Sequence, residues 1–284
     1  MSFLRLRFGI GRATKAKCTL LILALTMVVG SCSDVRRAAR GEYAPRVTGL
    51  LVVGTDLPAP GFWEGSDPSS IRGGFEWALA DALAEELGLT LEVRDVPFSD
   101  ISRGALGDSD LALAQVSPTP ERRERVDFSI AYLTSAPAIL TAAGAPDVRD
   151  LATAKEQRWV VEAGTTGAEY LTDVVDPDRA PLVVGGQLAA VQAVLAGTVD
   201  AALLDLPSAL AIAHDERGLT VPARFDEAED LAIVLPKGSG NTDTINRALR
   251  LLMADGTIDS LRERWLDPIF SADLETVPVI RVPR

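Results

Sequence analysis

Apolar residues recur every fourth position through GGFEWALADALAEELGL (73–89), where Phe75, Leu79, Leu83 and Leu87 form one line. That spacing predicts an amphipathic helix, since an α-helix returns to the same face after about 3.6 residues. Short apolar runs bounded by glycine or proline predict strands instead: LLVVG (50–54), the alternating Thr90–Val93, DLALAQV (110–116), RWVVEAG (158–164), PLVVG (181–185), VDAALLDL (199–206) and DLAIVLPKG (230–238). QLAAVQAVLAG (187–197) reads as a helix, TTGAEYL as a helix start, and residues 241–266 as a long helical region ending in LRERWL. No internal repeat or low-complexity tract interrupts the series. Alternation of this kind predicts an α/β protein whose mostly parallel sheets are covered by helices.

The amino-terminal pattern is different. Residues 1–31 carry five basic residues (Arg5, Arg7, Arg12, Lys15 and Lys17) and no acidic one. The apolar stretch CTLLILALTMVV from Cys18 is shorter than the roughly 20 residues that span a bilayer, and Val29-Gly30-Ser31 precedes Cys32. A basic end, a short apolar run and small residues before a cleavage point are the anatomy of a secretory signal. Cysteine at this place resembles the lipobox of bacterial lipoproteins, in which Cys32 would be acylated and become the first residue. The alternative is an ordinary signal peptide with an incidental cysteine. Residues 1–31 are thus expected to be removed, and 32–47 to serve as a polar tether.

Charge and composition narrow the function. The net charge is −12, and removing five positive charges leaves 23 basic against 40 acidic residues, a net −17. A nucleic-acid partner calls for a basic face and is not expected. An acidic chain is also repelled by anionic lipid, so membrane attachment would depend on acyl chains. With one histidine and two cysteines, of which Cys18 leaves with the signal, neither a disulfide nor a metal cage nor a cofactor is expected, and His214 has no assigned role.

Ligands of open α/β sheets sit beyond the carboxyl ends of strands. Four such ends carry polar chemistry: GTD (54–56), SPTPER (117–122), GTT (164–166) and Asp205. Arg122 offers a planar fork of donors suited to a carboxylate. Ser117 and Thr166 offer hydroxyls, and Thr165 and Thr166 lie at a helix start whose free N–H groups favour an anion. Asp205 offers the opposite charge. A carboxylate and an ammonium on one small molecule would satisfy this set, which describes an α-amino acid. Each residue has a plainer reading: Ser117, Thr119 and Asp205 as helix caps, Arg122 as a surface partner of Glu121 or Asp127.

From Leu50 to about Leu266 the chain resembles the family 3 extracellular solute-binding proteins, which deliver polar amino acids to ABC transporters. GTD, GGFEWALADALAEELGL, SPTPERRERVDFS, EAGTTGAEYL, AGTVDAALLDLP and LLMADGTIDSLRERWL occur in that family's order. The resemblance implies a type II periplasmic binding protein fold of two lobes joined by a double hinge. Lobe 1 would comprise 48–136 plus 234–270, lobe 2 137–233, and 271–284 a tail, with crossings near Tyr132–Ala136 and Ala232–Leu235. It further implies that Arg122 and Thr166 hold a carboxylate, Ser117 contributes a hydroxyl and Asp205 takes the ammonium. Asp56 would meet the ligand side chain, and Phe98 would wall the cleft. Where many members carry Tyr-Pro-Pro-Phe, this chain has Ala59-Pro60-Gly61-Phe62 followed by Trp63. The usual aromatic lid thus falls on Ala59: either Phe62 or Trp63 is expected to replace it, or the pocket is reshaped for a larger or non-standard ligand, or Trp63 packs against Trp77. Gln115 lies beside the cleft at a position often small or hydroxylated.

These expectations describe a monomeric, extracytoplasmic binding lipoprotein with an ABC permease as partner and no catalytic residue. A cyclohexadienyl-dehydratase-like enzyme on the same scaffold, and a ligand sensor docking a membrane signalling protein, are the alternatives.

Overall fold

The computed structural model describes residues 43–270 and 277–282. Residues 1–31, Cys32 and most of the expected tether lie outside the described residues.

The strands are β1 (Leu50–Thr55), β2 (Thr90–Asp95), β3 (Leu111–Ala112), β4 (Val126–Ser135), β5 (Pro137–Ala142), β6 (Trp159–Glu162), β7 (Leu182–Val184), β8 (Ala201–Asp205), β9 (Leu219–Phe225), β10 (Glu229–Pro236) and β11 (Val279–Ile280). The helices are α1 (Phe75–Leu87), α2 (Phe98–Ile101), α3 (Pro120–Arg125), α4 (Leu151–Lys155), α5 (Thr166–Tyr170), α6 (Gln187–Leu195), α7 (Leu206–Asp215), α8 (Thr242–Ala254), α9 (Thr257–Trp265) and α10 (Asp267–Phe270). One sheet has the order β2-β1-β3-β10-β4, the other β11-β9-β5-β8-β6-β7. Each sheet is the floor of one lobe. Among the described residues, no helix is long and apolar enough to cross a membrane.

Both sheets are mixed, with parallel pairs the more numerous. Every antiparallel pair involves β5 or β10, the strands that begin just after the chain changes sheet. The first change falls at Ala136, between β4 and β5. The second falls at residues 226–228 rather than at Ala232–Leu235, because Glu229 is already paired with Ser135 in the first sheet. The apolar run LAIVL, expected at the crossing, is the buried centre of β10.

Three other expectations change. The end of the tether is docked: Tyr43 is buried, the Ala44 N–H donates to Asn241 Oδ1 at 3.0 Å, and the Arg46 N–H donates to Asp110 Oδ1 at 2.7 Å. The described end of the tail is part of lobe 2, since β11 pairs with β9 and buries Ile280 in that lobe's core. Residues 241–266 break into α8 and α9 at Gly256, which takes a φ of 79°.

Helix α1 shows how sequence sets the packing. Phe75, Leu79, Leu83 and Leu87 are all buried, and Gly88 ends the helix in the left-handed region, with its N–H turned back to the last carbonyls. At the other end the loop before the helix folds beneath it. Gly61 and Phe62 carbonyls accept from the N–H groups of Phe75 (2.9 Å) and Glu76 (3.1 Å), satisfying donors that a helix start leaves free. Gly74 makes this approach possible: its φ is 112°, and a Cβ there would lie 2.3 Å from the Phe62 carbonyl oxygen.

Candidate ligand-binding site

That loop settles the fate of the expected lid. Phe62 and Trp63 are both 0% exposed. Phe62 packs edge-on against Phe75, and the Trp63 indole N–H donates to Glu76 Oε2 at 2.8 Å. Because the loop carbonyls are tied to the start of α1, both aromatic rings are drawn into the core of lobe 1. Neither lines the cleft, and the expectation that they contact ligand is corrected.

The SPTPER stretch divides its polar residues between two tasks. Thr119 is a cap: its Oγ1 accepts the Arg122 N–H at 3.2 Å, with Pro120 in the first turn of α3. Ser117 is not a cap; its hydroxyl donates to Glu229 Oε1 at 2.5 Å, joining the end of the β3 segment to the start of β10. The cap directs Arg122 inward, where it is 5% exposed. Its Nη1 donates to the Ser117 carbonyl, its Nη2 donates to the Gly164 carbonyl of lobe 2, each at 2.9 Å, and its guanidinium lies 5.5 Å from the Phe98 ring centroid. Burial lowers the Arg122 pKa, opposed by Glu169, Glu229, Asp205 and Glu121.

Lobe 2 supplies the other wall. Thr165 caps α5, accepting from the Ala168 N–H at 3.2 Å and donating to the Glu162 carbonyl at 2.8 Å, so its hydroxyl is engaged with backbone. Thr166 stands beside it. Asp205 ends β8 at the cap position of α7, yet makes no capping bond, so its carboxyl remains in the cleft. Burial raises its pKa well above the usual carboxylate range, Glu229 raises it further, and Arg122 opposes them.

These residues enclose a cavity of about 60 Å³ between the lobes, lined by Phe98, Gln115, Thr165, Thr166 and Asp205, together with Glu162, Gln187 and Glu229. Asp56 does not line the cavity itself but lies beside Glu162, and the Asp56 carboxyl, second to burial, raises the Glu162 pKa. Ser117 lines the adjoining space rather than the cavity itself.

Sequence reading missed three acids. Glu76 is 0% exposed and accepts from Trp63, from the Gln115 N–H at 2.9 Å, from the Gln115 side-chain amide and from the Tyr132 hydroxyl. It thereby holds Gln115 at a φ of 49°, out of the extended conformation, where the residue lines the cavity. Glu162 is the one acid in the apolar run WVVEAG, a signal that was present. Glu229 sits among Glu227, Asp230 and neighbouring polar residues, where nothing in the pattern distinguishes it.

Two lobes on mixed sheets, with a buried arginine bonded from one lobe to the other and an aspartate lining the cavity between them, define a two-lobed solute-binding protein. The profile of the bacterial extracellular solute-binding proteins, family 3, matches residues 51–268, and the chain belongs to that family. The arginine-binding extracellular protein ArtP of Bacillus subtilis is 28% identical over 206 residues, covering 68% of this chain and 77% of the relative. An ancestral arginine-binding protein bound to arginine superposes with a TM-score of 0.69 at 29% identity, covering 76% of this chain and 98% of that one. An ancestral amino acid-binding protein described as a precursor of cyclohexadienyl dehydratase gives a TM-score of 0.69 at 28% identity, covering 77% and 96%.

Proposed function

We propose that this chain captures an amino acid, or a closely related carboxylated amine, outside the cytoplasm and hands it to the permease of an ABC importer. The observation that carries this reading is that Arg122 of lobe 1 bonds across to the Gly164 carbonyl of lobe 2 while Asp205 of lobe 2 lines the cavity between the lobes, each sensing the other's charge. A ligand bearing a carboxylate and an ammonium would bridge them and favour closure, since a ligand shifts a conformational equilibrium by its differential affinity for the two states. Phe98, Gln115, Ser117, Thr165 and Thr166 would shape the site around it. The binding names of the relatives point the same way. We also propose that Cys32 is acylated and tethers a monomeric mature protein to the membrane; a Cys32→Ser variant should then remain unprocessed or lose acyl labelling.

A dehydratase on the same scaffold is the second reading. It is favoured by one observation, that Glu162 keeps its proton up to about pH 8 within the cleft, chiefly through burial. A thermal-shift screen with the twenty amino acids, opines, betaines and prephenate separates the readings. A ligand at a thousand times its Kd stabilises the folded state by about 4 kcal/mol. Stabilisation by an amino acid without turnover supports the receptor; conversion of prephenate or arogenate overturns it.

A further inference from the structure

The cavity between the lobes is small for a bound molecule. It measures about 60 Å³, against the several hundred that small-molecule sites enclose. A second space adjoins it. A groove of about 340 Å³ is walled by Pro58 and Pro60 of lobe 1 and by Leu188, Val191 and Leu195 of α6 in lobe 2. Gln187 lines both spaces, so one side chain stands between them.

The groove follows from the fate of Phe62 and Trp63. Between Ala59 and Trp63 the chain makes a tight turn, in which the Phe62 and Trp63 N–H groups donate to the Ala59 carbonyl at 3.0 and 2.7 Å. Both rings are turned into the core of lobe 1, and the prolines on either side of Ala59 are left as that lobe's wall of the groove. Opposite them Leu188 is 50% exposed and Leu195 46% exposed, apolar surface that a bound apolar group would cover.

The lobe 2 sheet sets the direction in which a ligand can run. β8, β6 and β7 are successive parallel neighbours, and Asp205, Glu162 and Gln187 stand at or just past their carboxyl ends. Glu162 is paired with Val184, three residues before Gln187. Neighbouring strands lie about 4.8 Å apart, so a molecule held at Asp205 by its ammonium passes Glu162 and reaches Gln187 roughly 10 Å away. Two polar groups lie along that path. Glu162 is 8% exposed, and its Oε1 is buried with no hydrogen-bond partner among the described residues. Gln187 is half-buried, and its amide makes no hydrogen bond among them. Buried polar atoms left unpaired are costly, and one secondary amide would satisfy both residues, its N–H donating to Glu162 and its carbonyl accepting from Gln187 Nε2.

We propose that the groove is an extension of the ligand site, that it takes an apolar acyl group at the end of the ligand's side chain, and that Glu162 and Gln187 bind the amide joining the two. The ligand class is α-amino acids whose long side chain is capped by an apolar acyl amide. This rests on the amino-acid reading of the cleft and goes beyond it: Arg122 takes the carboxylate, Asp205 the ammonium, and the acyl group leaves the cavity past Gln187. Continuity with the cavity through Gln187 favours the ligand, rather than a protein partner, as the occupant of the groove.

The test is calorimetry on the mature protein with L-norleucine, Nε-acetyl-L-lysine and Nε-hexanoyl-L-lysine. The acetyl derivative should bind about fivefold or more tightly than norleucine, through the amide. Each buried methylene is worth roughly fourfold in affinity, so the hexanoyl derivative should exceed the acetyl by about tenfold or more. Leu188→Asp places a charge in the groove wall at an exposed position, and should bring the two acyl derivatives to within about twofold of each other. Gln187→Leu keeps the volume, and should erase the acetyl derivative's advantage over norleucine while the hexanoyl derivative still exceeds the acetyl. Hexanoyl binding no tighter than acetyl, or an undiminished effect in either variant, overturns the extension. So does failure of both acyl derivatives where an unmodified amino acid binds, which leaves the receptor reading in place. Binding of no amino acid or derivative overturns both.

Discussion

Arg122 in lobe 1 donates from Nη2 to the Gly164 carbonyl of lobe 2 at 2.9 Å, so one guanidinium ties together the two walls of the cleft. The residue is 5% exposed, and its other terminal nitrogen is held by the Ser117 carbonyl. Both contacts lie in the plane of the fork, which a single ammonium group cannot reproduce.

Arg122→Ala should therefore weaken binding of the best ligand by roughly thirtyfold or more, because removing one partner of a buried charge pair costs about 2–5 kcal/mol. Arg122→Lys retains the charge but not the fork, and should recover only a small part of that loss. Calorimetry on both variants decides the point; affinity near that of the parent in Arg122→Lys would show that the planar geometry is unimportant.

Asp205→Asn keeps the volume and removes the charge. It should weaken binding of an amino acid by about tenfold or more while leaving its deaminated analogue little changed. Equal effects on the two ligands would mean that Asp205 does not meet the ammonium. Its carboxyl would then serve some other part of the ligand.

The order of the fold was legible because periodicity survives packing: the four apolar positions of α1 and the apolar runs of β1, β6 and β8 all lie where the pattern put them. The hinge was harder to read. β4 and β10 are long strands that pair with each other up to the crossing, and nothing in LAIVL distinguishes the middle of a strand from a change of lobe. Arg122 and Asp205 stood out because each is a charge just beyond an apolar run, and burial shifts the pKa of each in the fold. Phe62 and Trp63 were misplaced because an aromatic near a cleft looks the same in sequence whether it faces ligand or core; the backbone bonds to α1 decide, and they depend on Gly74. The contact between Asp56 and Glu162 joins residues from different lobes, and no local pattern encodes it.

Glu76 is a structural acid whose removal should be felt at the cleft. Glu76→Ala leaves the Trp63 indole, the Gln115 N–H and side-chain amide and the Tyr132 hydroxyl without their acceptor. Each buried donor left unsatisfied costs about 1–3 kcal/mol, so the variant should lose at least about 3 kcal/mol. At about 2–4 °C per kcal/mol for a chain of this size, the melting temperature should fall by roughly 6–12 °C. Gln115 should also relax from its left-handed conformation, weakening ligand binding beyond what the lost stability explains. A melting temperature within about 2 °C of the parent would show that the network contributes little.

Glu162 makes stability depend on pH in a direction opposite to that of a salt-bridged acid. Its pKa rises from an ordinary 4.5 to about 8 in the folded protein, through burial first and the Asp56 carboxyl second. Between these values the folded state keeps a proton that the unfolded chain has lost, so stability must fall as pH rises. The contribution is fully present below pH 4.5 and is lost as pH passes through about 8. One pKa unit corresponds to about 1.4 kcal/mol, which places the total on the order of a few kcal/mol. Asp56, Glu76 and Asp205 are shifted in the same direction, so the ligand-free parent should melt at progressively lower temperature from pH 5 to pH 8. Glu162→Gln removes one titrating group without emptying its volume. Its melting temperature should gain on that of the parent across this window, by several degrees at pH 8, and the two curves should converge near pH 5. Parallel curves would mean that Glu162 titrates normally and shares no proton with Asp56.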